Sequence, residues 1–411
     1  MKGIRTISRV FVGLVFIFSG FVKGVDPIGF GYKFHDYFRA FKLDFLQGLG
    51  LPLAVAVCTA EFLIGVSLLL GIRMRIASIA LLCFMLFFTV LTFILALFNP
   101  VSDCGCFGDA LKLTNWQTFL KNVVLMVFTL VIFFSRKQYK PYLIPAGEWA
   151  MVMVFFIGFG MLVNDCLRHN PIVDFRPYKP GTDMVKNMQL PPNAPRDSFA
   201  THLFYKRNDV VKEFNLANMP WKDSTWKWVE TKVVKIKEGY KPPIHDFSVK
   251  GFSGNDITDS LLADKGYSFL LITPSLKKSD LQAFDWLNRV ASAASRWNCR
   301  FYGLTASTQA ESDSMKQQHQ LAFDFYNTDE TTLKTINRAN PGLMLLKGGI
   351  VMAQWHYNDL RGKTITNGSL EQFVSALKKE RTERLLLKLA VFLFFAGAVT
   401  FRVLQVYSLR E

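Results

Sequence analysis

The residues best suited to chemistry lie in one short stretch, Asp103-Cys104-Gly105-Cys106-Phe107-Gly108-Asp109. Two thiols stand one residue apart just beyond a long apolar run, with glycines between and after them. Facing an oxidising compartment, they are a candidate redox pair. Bridged Cα atoms lie about 4.4–6.8 Å apart, so a Cys-x-Cys disulfide needs a bent backbone, which Gly105 permits. Strained, exposed disulfides are the oxidising and labile ones. The alternative is a structural staple or two separate thiols. A bridge closing so short a loop constrains the unfolded chain little, which weakens the staple. Cys166, at the same expected depth as the loop, is a candidate resolving thiol, or equally a boundary apolar residue. Cys58 is expected to reach toward the same interface. Cys83 is expected to be a packed apolar residue of its helix, and Cys299 a buried core residue. No spacing among the six cysteines suggests a zinc site, and no metal is expected.

Three polar residues fall inside apolar runs: Lys23, Glu61 and Asn122. A charge near the bilayer centre costs about 2.5–3.5 kcal/mol on insertion scales, so Glu61 should be paired or reach water. Lys23 is a partner for it if the first helix tilts; otherwise Lys23 snorkels to the interface. Glu61 reads better as a structural acid, paired with Lys23 or bonded to Asn122 or a hydroxyl, than as a proton relay. Asn122 fits a helix–helix hydrogen bond.

The elements that must carry these groups are membrane spans. Half of the 411 residues are hydrophobic and 39 are Phe, yet the formal charge is +16. About 20 apolar residues cross a bilayer core, and six runs qualify, near 4–23, 52–71, 76–98, 117–134, 148–165 and 385–404. The first, with Lys2, Arg5 and the small Ser19 and Gly20, also fits a signal peptide; its length and the spans that follow favour a helix that stays. Lys2, Arg5 and Arg9, then Arg73 and Arg75, then Arg136, Lys137 and Lys140 belong on one side, the cytoplasmic one. The Cys104 loop and the long 166–384 segment then face outward, with Lys378–Arg384 on the disfavoured side. Basic residues are spread among loops, so nucleic-acid binding is excluded as a reading of the charge. The 29–51 loop, with Phe34, Phe38, Phe41 and Phe45 at helical spacing, predicts an amphipathic helix on the outer interface.

Beyond the fifth span, six prolines in 171–195 predict a tether, and 200–240 alternates as a small antiparallel unit. From about 244 strands and helices alternate, which predicts an α/β domain. Strands are expected at Tyr267–Thr273, Arg300–Leu304, Phe323–Tyr326, Leu343–Leu346 and Ile350–Trp355. Helices are expected at Ser279–Trp297, Asp313–His319, Thr331–Arg338 and Leu370–Lys379.

That order resembles a thioredoxin-like domain of the TlpA or peroxiredoxin-related kind, with Ile244–Val249 as its opening hairpin and Asn340-Pro341 at the family's cis-proline. The resemblance places a Cys-x-x-Cys after the first core strand, but Thr273-Pro274-Ser275-Leu276-Lys277-Lys278 stands there, without a thiol. The domain is therefore degenerate, left to bind or position a partner. In the membrane half, Phe18-Ser19-Gly20-Phe21-Val22-Lys23, Ala60-Glu61-Phe62-Leu63-Ile64-Gly65, Asp103-Cys104-Gly105-Cys106-Phe107-Gly108 and Leu120-Lys121-Asn122-Val123-Val124-Leu125 together resemble the DoxX-like membrane proteins, specifically the MauE branch. The resemblance implies a redox-associated four-helix module; its methylamine label has no counterpart in these residues.

The expected architecture is an α-helical membrane protein, a four-helix DoxX/MauE-like bundle plus two further transmembrane helices, with an inserted α/β thioredoxin-like periplasmic domain. Its parts are 1–143 (bundle), 144–166 (fifth span), 167–243 (tether and β unit), 244–383 (degenerate domain) and 384–407 (sixth span). The expected function is thiol–disulfide exchange, or maturation of an exported partner, at a bacterial inner membrane through Cys104 and Cys106. The alternative is a non-catalytic assembly or scaffold protein. Expected partners are membrane lipid and a periplasmic protein client or thiol partner. No cofactor is evident; a quinone is an electron acceptor without a readable motif. The sequence leaves the client, the direction of electron flow and the oligomeric state open.

Overall fold

The computed structural model describes residues 2–408 except 102, 140, 142, 193, 196, 197, 238 and 364–367; for 2, 235, 237, 399 and 402–408 it describes the backbone alone. The amino-terminal region is helical: α1 (Lys2–Val25), α2 (Pro27–Ala40), α3 (Gly50–Leu70), α4 (Met74–Phe98), α5 (Asn115–Phe134) and α6 (Pro145–Arg168). Among the described residues five helical stretches are long and apolar enough to cross a membrane: Gly3–Val25, Asp44–Leu70, Met74–Phe98, Asn115–Phe134 and Pro145–Arg168. A larger non-membrane part with two β-sheets follows.

Local chemistry sets the helix ends. Thr114 caps α5 in a reciprocal capping box with Gln117. Gly71, left-handed at φ +73°, ends α3. Asp26 caps α2, its carboxylate accepting from the Gly29 amide. The interfacial helix predicted over the 29–51 loop is shorter than its Phe pattern. It stops at Ala40, because Lys42 takes φ +57°, and Phe45 falls in a separate 3₁₀ turn, Asp44–Leu49.

Glycines bring α1 and α3 together. A Cβ on Gly65 would stand 2.6 Å from the Ile17 amide nitrogen, and one on Gly20 would stand 2.7 Å from that of Phe62. Such small-residue contacts let two backbones meet in lipid, where packing rather than hydrophobic exclusion holds helices together. Three arginines fix the basic end of the bundle. Arg5 hydrogen-bonds Gln138, Arg9 lies over the Tyr139 ring, and Arg73 approaches Glu148 at 3.8 Å and the Trp149 ring at 4.6 Å.

The remaining elements are α7 (Met184–Met188), β1 (Ser198–Arg207), β2 (Val210–Phe214), β3 (Lys227–Lys237), α8 (Thr258–Ala263), β4 (Tyr267–Thr273), α9 (Gln282–Arg296), β5 (Arg300–Thr305), α10 (Gln309–His319), β6 (Asp324–Asn327), α11 (Glu330–Ile336), β7 (Gly342–Lys347), β8 (Ile350–His356), α12 (Tyr357–Leu360) and α13 (Leu370–Ser408). Strands β2-β1-β3 form an antiparallel sheet. The second sheet has the order β6-β5-β4-β7-β8: β4, β5 and β6 are parallel, and β7 and β8 antiparallel. Both its faces are buried. Phe269, Leu271, Phe284 and Trp355 belong to one apolar cluster, Leu270, Ile272, Met344 and Leu346 to the other. That explains why β4 reads as a continuous apolar run. The Asn340-Pro341 bond is cis.

Four expectations change. Ile244–Val249 is not itself a paired strand: Ile244, Phe247 and Val249 are buried, and the antiparallel turn comes at its end, where Ile257 donates to the Val249 carbonyl and Lys250 bridges Asp256. Cys83 is exposed on its helix rather than packed. Cys58 does not reach an interface; it is fully buried beside Phe159 and Val163 and donates to the Val55 carbonyl. The closing helix and the expected sixth span are one unbroken helix, α13, because Glu380-Arg381-Thr382-Glu383 contains no Gly or Pro to stop it. Helix α13 runs antiparallel beside α6: Lys388 meets Asp165, the Phe392 ring covers Gly158, and Thr400 lies 3.8 Å from the Met151 sulfur. Among the described residues about five helices are of membrane length rather than four plus two; the expected sixth run, 385–404, lies partly outside the residues whose side chains are described.

The close α1–α3 approach yields a test. Gly65→Ala should lower stability by about 1–3 kcal/mol through overpacking, read as a lower thermal midpoint in detergent. Gly160→Ala, whose Cβ would meet nothing within 4 Å, should leave the midpoint unchanged. Equal midpoints for both variants would contradict the packing described.

Candidate functional site

The thiol loop is built from turns. The Asp103 carboxylate accepts from the Gly105 amide at 3.0 Å, Gly105 takes φ +63°, and the Gly108 amide bonds the Gly105 carbonyl at 3.1 Å. The positive φ demands glycine, and a Cβ on Gly105 would also press on the Lys33 side chain at 3.0 Å. This bend places Cys104 Sγ 2.7 Å from Cys106 Sγ, as thiols sharing a hydrogen bond. A disulfide needs about 2.03–2.05 Å, so the sulfurs need to move little when an oxidant such as a partner's disulfide takes up the two electrons and both thiol protons leave.

Side chains from three helices hold the loop. Tyr37 of α2 donates its hydroxyl to the Cys104 carbonyl at 2.6 Å. Burial keeps that phenol well above its ordinary pKa, so it stays a donor. Lys33 of α2 pairs with Asp103 at 2.9 Å. Ser19 of α1 lies 2.9 Å from the Cys106 carbonyl and 3.0 Å from Glu61 Oε2. Lys23, one turn further along α1, bonds both Glu61 oxygens at 2.8 and 2.9 Å, both residues being buried. Lys121 of α5 stands over the Phe107 ring at 4.4 Å. Asn122 does not reach Glu61; it donates to Thr92 Oγ1 and the Phe88 carbonyl, tying α5 to α4.

These neighbours make the two thiols unequal. The hydrogen bond from Cys104 lowers the Cys106 thiol to about 6 against the opposing effect of burial, and the charges of Lys121 and Lys23 add to the lowering. Cys104 is pushed upward, first by that same hydrogen bond and then by burial. The two shifts run in opposite directions and favour Cys106 over Cys104 as the thiolate of the pair. The thiolate is the nucleophile of disulfide exchange.

The α/β part sits directly on this loop. Arg338, after α11, grips Asp26 at 2.6–3.0 Å and reaches Asp109, three residues past Cys106, at 3.3 Å. Burial would raise the Asp26 carboxyl, but the Arg338 charge and hydrogen bonds hold it below its ordinary value. Lys334 and Arg338 both lie over the Tyr32 ring. The 171–176 segment closes the remaining side. Arg176 there is almost fully buried and bidentate to Asp174, at 2.8 and 2.7 Å.

Of the residues singled out from sequence, Cys104, Cys106, Lys23 and Glu61 meet at one place. Cys166 is buried at the end of α6, near Asp165, Asp26 and Arg381, with no hydrogen bond to either loop thiol among the described residues. Cys299 is buried in the α/β core. Ser19, Tyr37, Lys121, Asp26 and Arg338 were not anticipated. Ser19 had a signal, one helical turn before Lys23; the long-range contacts of Arg338 had none.

Residues 1–135, a third of the chain, match the family of methylamine utilisation protein MauE, and residues 199–238, essentially the β2-β1-β3 sheet, match a domain of unknown function. No curated protein matches. Among solved structures, the chain is similar to a putative protein disulfide isomerase from Bacteroides thetaiotaomicron (11% identity, TM-score 0.25, 33% of this chain and 84% of that one). It is also similar to a secreted Mycobacterium tuberculosis disulfide oxidoreductase (13%, TM-score 0.24, 33% and 96%) and to Xanthomonas campestris peroxiredoxin Q (13%, TM-score 0.23, 32% and 90%).

The electrostatics of Cys106 give a pH prediction. Its alkylation rate should rise as pH passes about 6, the value to which the thiol is lowered, because only the thiolate reacts. Lys121→Met removes a lowering charge, so the midpoint should move to higher pH. A midpoint that stays put in Lys121→Met, measured by iodoacetamide kinetics, would show that Lys121 does not act on Cys106.

Proposed function

We propose that this chain is a membrane-embedded thiol–disulfide exchange protein whose working dithiol is Cys104 and Cys106. The observation that carries this reading is the pair itself: two sulfurs 2.7 Å apart on a turn fixed by Gly105, one favoured as thiolate and the other hydrogen-bonded to it. Cys106 attacks the disulfide of a partner protein, forming a mixed disulfide and releasing one partner thiolate. Cys104 then attacks Cys106, closing the intramolecular bridge and releasing the second. The partner is reduced and the loop oxidised; the reverse sequence oxidises the partner. The basic loops gathered at the opposite end of the bundle support a cytoplasmic placement for that end. The dithiol and the α/β domain then face the periplasm of a bacterial inner membrane, where disulfides persist.

In this reading the α/β domain positions the client. It carries no thiol at Thr273–Lys278, and Arg338 anchors it to both ends of the site, Asp26 and Asp109. Cys166 enters as a resolving thiol only after a movement that brings it to the loop. A second reading rests on the same thiol-less stretch: the chain is a scaffold whose domain binds a partner, the cysteines being structural. The methylamine link is carried by the family's name alone.

Capture of the partner separates the two. Cys104→Ser leaves the attacking thiolate without its resolving partner, so it should accumulate a mixed disulfide on non-reducing gels of membranes. Cys106→Ser should accumulate much less. If neither variant captures a partner and the double variant keeps wild-type activity, the scaffold reading stands.

A further inference from the structure

A dithiol that cycles must shed and regain a proton, and this one is surrounded by apolar helices. Two small cavities flank it. One lies under the loop and is lined by Ser19, Lys23, Glu61, Cys106, Lys121 and Asn122 together with apolar side chains. The other lies beyond it, toward the α/β domain, and is lined by Lys23, Asp26, Lys33, Asp109, Asp174 and Arg176 among others. Each measures about 40 Å³. A water needs about 10–15 Å³ on this measure, so each has room for about three waters. That is far below the 300 Å³ or so of a site for a ring-bearing carrier. Lys23 lines both cavities. In the second, Arg176 is 2% exposed and its Nη1 has no hydrogen-bond partner among the described residues, a donor that cavity water would satisfy.

We propose that the buried Lys23–Glu61 pair is the proton link of the dithiol, carrying the Cys106 proton from water under the loop to water in the outer cavity. The inference rests on the dithiol reading and adds to it the route by which the thiolate forms. The step moves one proton and no electrons between residues. The Cys106 S–H bond breaks, its electron pair stays on sulfur, and the proton passes through cavity water to the Glu61 carboxylate. Lys23, bonded to both Glu61 oxygens, releases a proton to the outer water and takes the one from Glu61, restoring the ion pair. Electrons move only afterwards, when the thiolate attacks the partner's disulfide, which is the oxidant. Of the other groups facing the thiols, Lys121 from α5 lines the inner cavity alone, and Tyr37 from α2 is engaged with the Cys104 carbonyl. Glu61 and Lys23 touch neither sulfur, so they are positioning residues for proton movement.

The test uses the full chain in nanodiscs with Cys58, Cys83, Cys166 and Cys299 replaced by Ala. Thiolate absorbance is followed after a pH jump upward through about 6. Lys23→Arg keeps a cation on Glu61 but holds its proton permanently, so it separates a merely structural ion pair from a relay. Lys23→Arg should reach the parent's final amplitude about a hundredfold more slowly, the low end of what a positioned proton carrier contributes. The neutral pair Lys23→Met with Glu61→Gln should be equally slow, and covers the case in which Arg does not fit. Thiolate appearing at the parent's rate in either folded variant overturns the inference, as does a changed final amplitude with an unchanged rate. Slow variants whose parent captures no partner as Cys104→Ser would keep the proton link and overturn the dithiol reading instead.

Discussion

The arrangement depends on one buried ion pair. Lys23 and Glu61 lie within apolar helices, where an unpaired charge is expensive, and each solves the problem of the other. Their contact fixes the rotation and depth of α1 against α3, which the glycines at 13, 20 and 65 allow to meet backbone to backbone. Ser19, on the same face of α1, links that pair to the Cys106 carbonyl. The thiol loop is therefore held from below by a charge pair. Breaking a buried pair by removing one partner costs about 3–5 kcal/mol, so its loss should loosen the loop as well as the bundle.

From the other side the loop is held by the α/β domain. Arg338 joins residues 312 apart in sequence when it grips Asp26, and its second contact, Asp109, lies in the thiol loop itself. The domain with the thiol-free turn and the loop with the thiols thus share one anchor. On the proposed function this gives a division of labour, with the chemistry on the membrane loop and the domain set where it controls approach to it. The junction of α6, α12 and α13 steadies the domain further, with His169 and Arg384 both on Asp359, at 2.7 and 3.2 Å.

Much of this was legible in the chain. Long apolar runs gave the spans because length and hydropathy are local properties, and β4 was readable because a strand buried on both faces is continuously apolar. The Cys-Gly-Cys turn was readable because a positive φ calls for glycine. The length of the interfacial helix was not, because a single left-handed residue, Lys42, outweighed a regular Phe pattern. The unbroken α13 was missed because a polar stretch looked like a boundary, whereas Glu380–Glu383 are helix formers. Asn122 is the helix–helix hydrogen bonder its place in an apolar run suggests, but which helix it reaches was not legible: its rotation on α5 aims it at Thr92 of α4 rather than at Glu61. Arg338, Arg176 and Tyr37 act through tertiary contacts that no spacing encodes.

Exchange through this loop requires Cys104 and Cys106 to change redox state together. Membranes equilibrated across a series of glutathione poises, then differentially alkylated and read by mass spectrometry, test it most directly. The peptide holding both cysteines should convert between a doubly alkylated and a bridged form in one two-electron transition. Two thiols that stay alkylatable at every poise, or that react with glutathione independently, would contradict it.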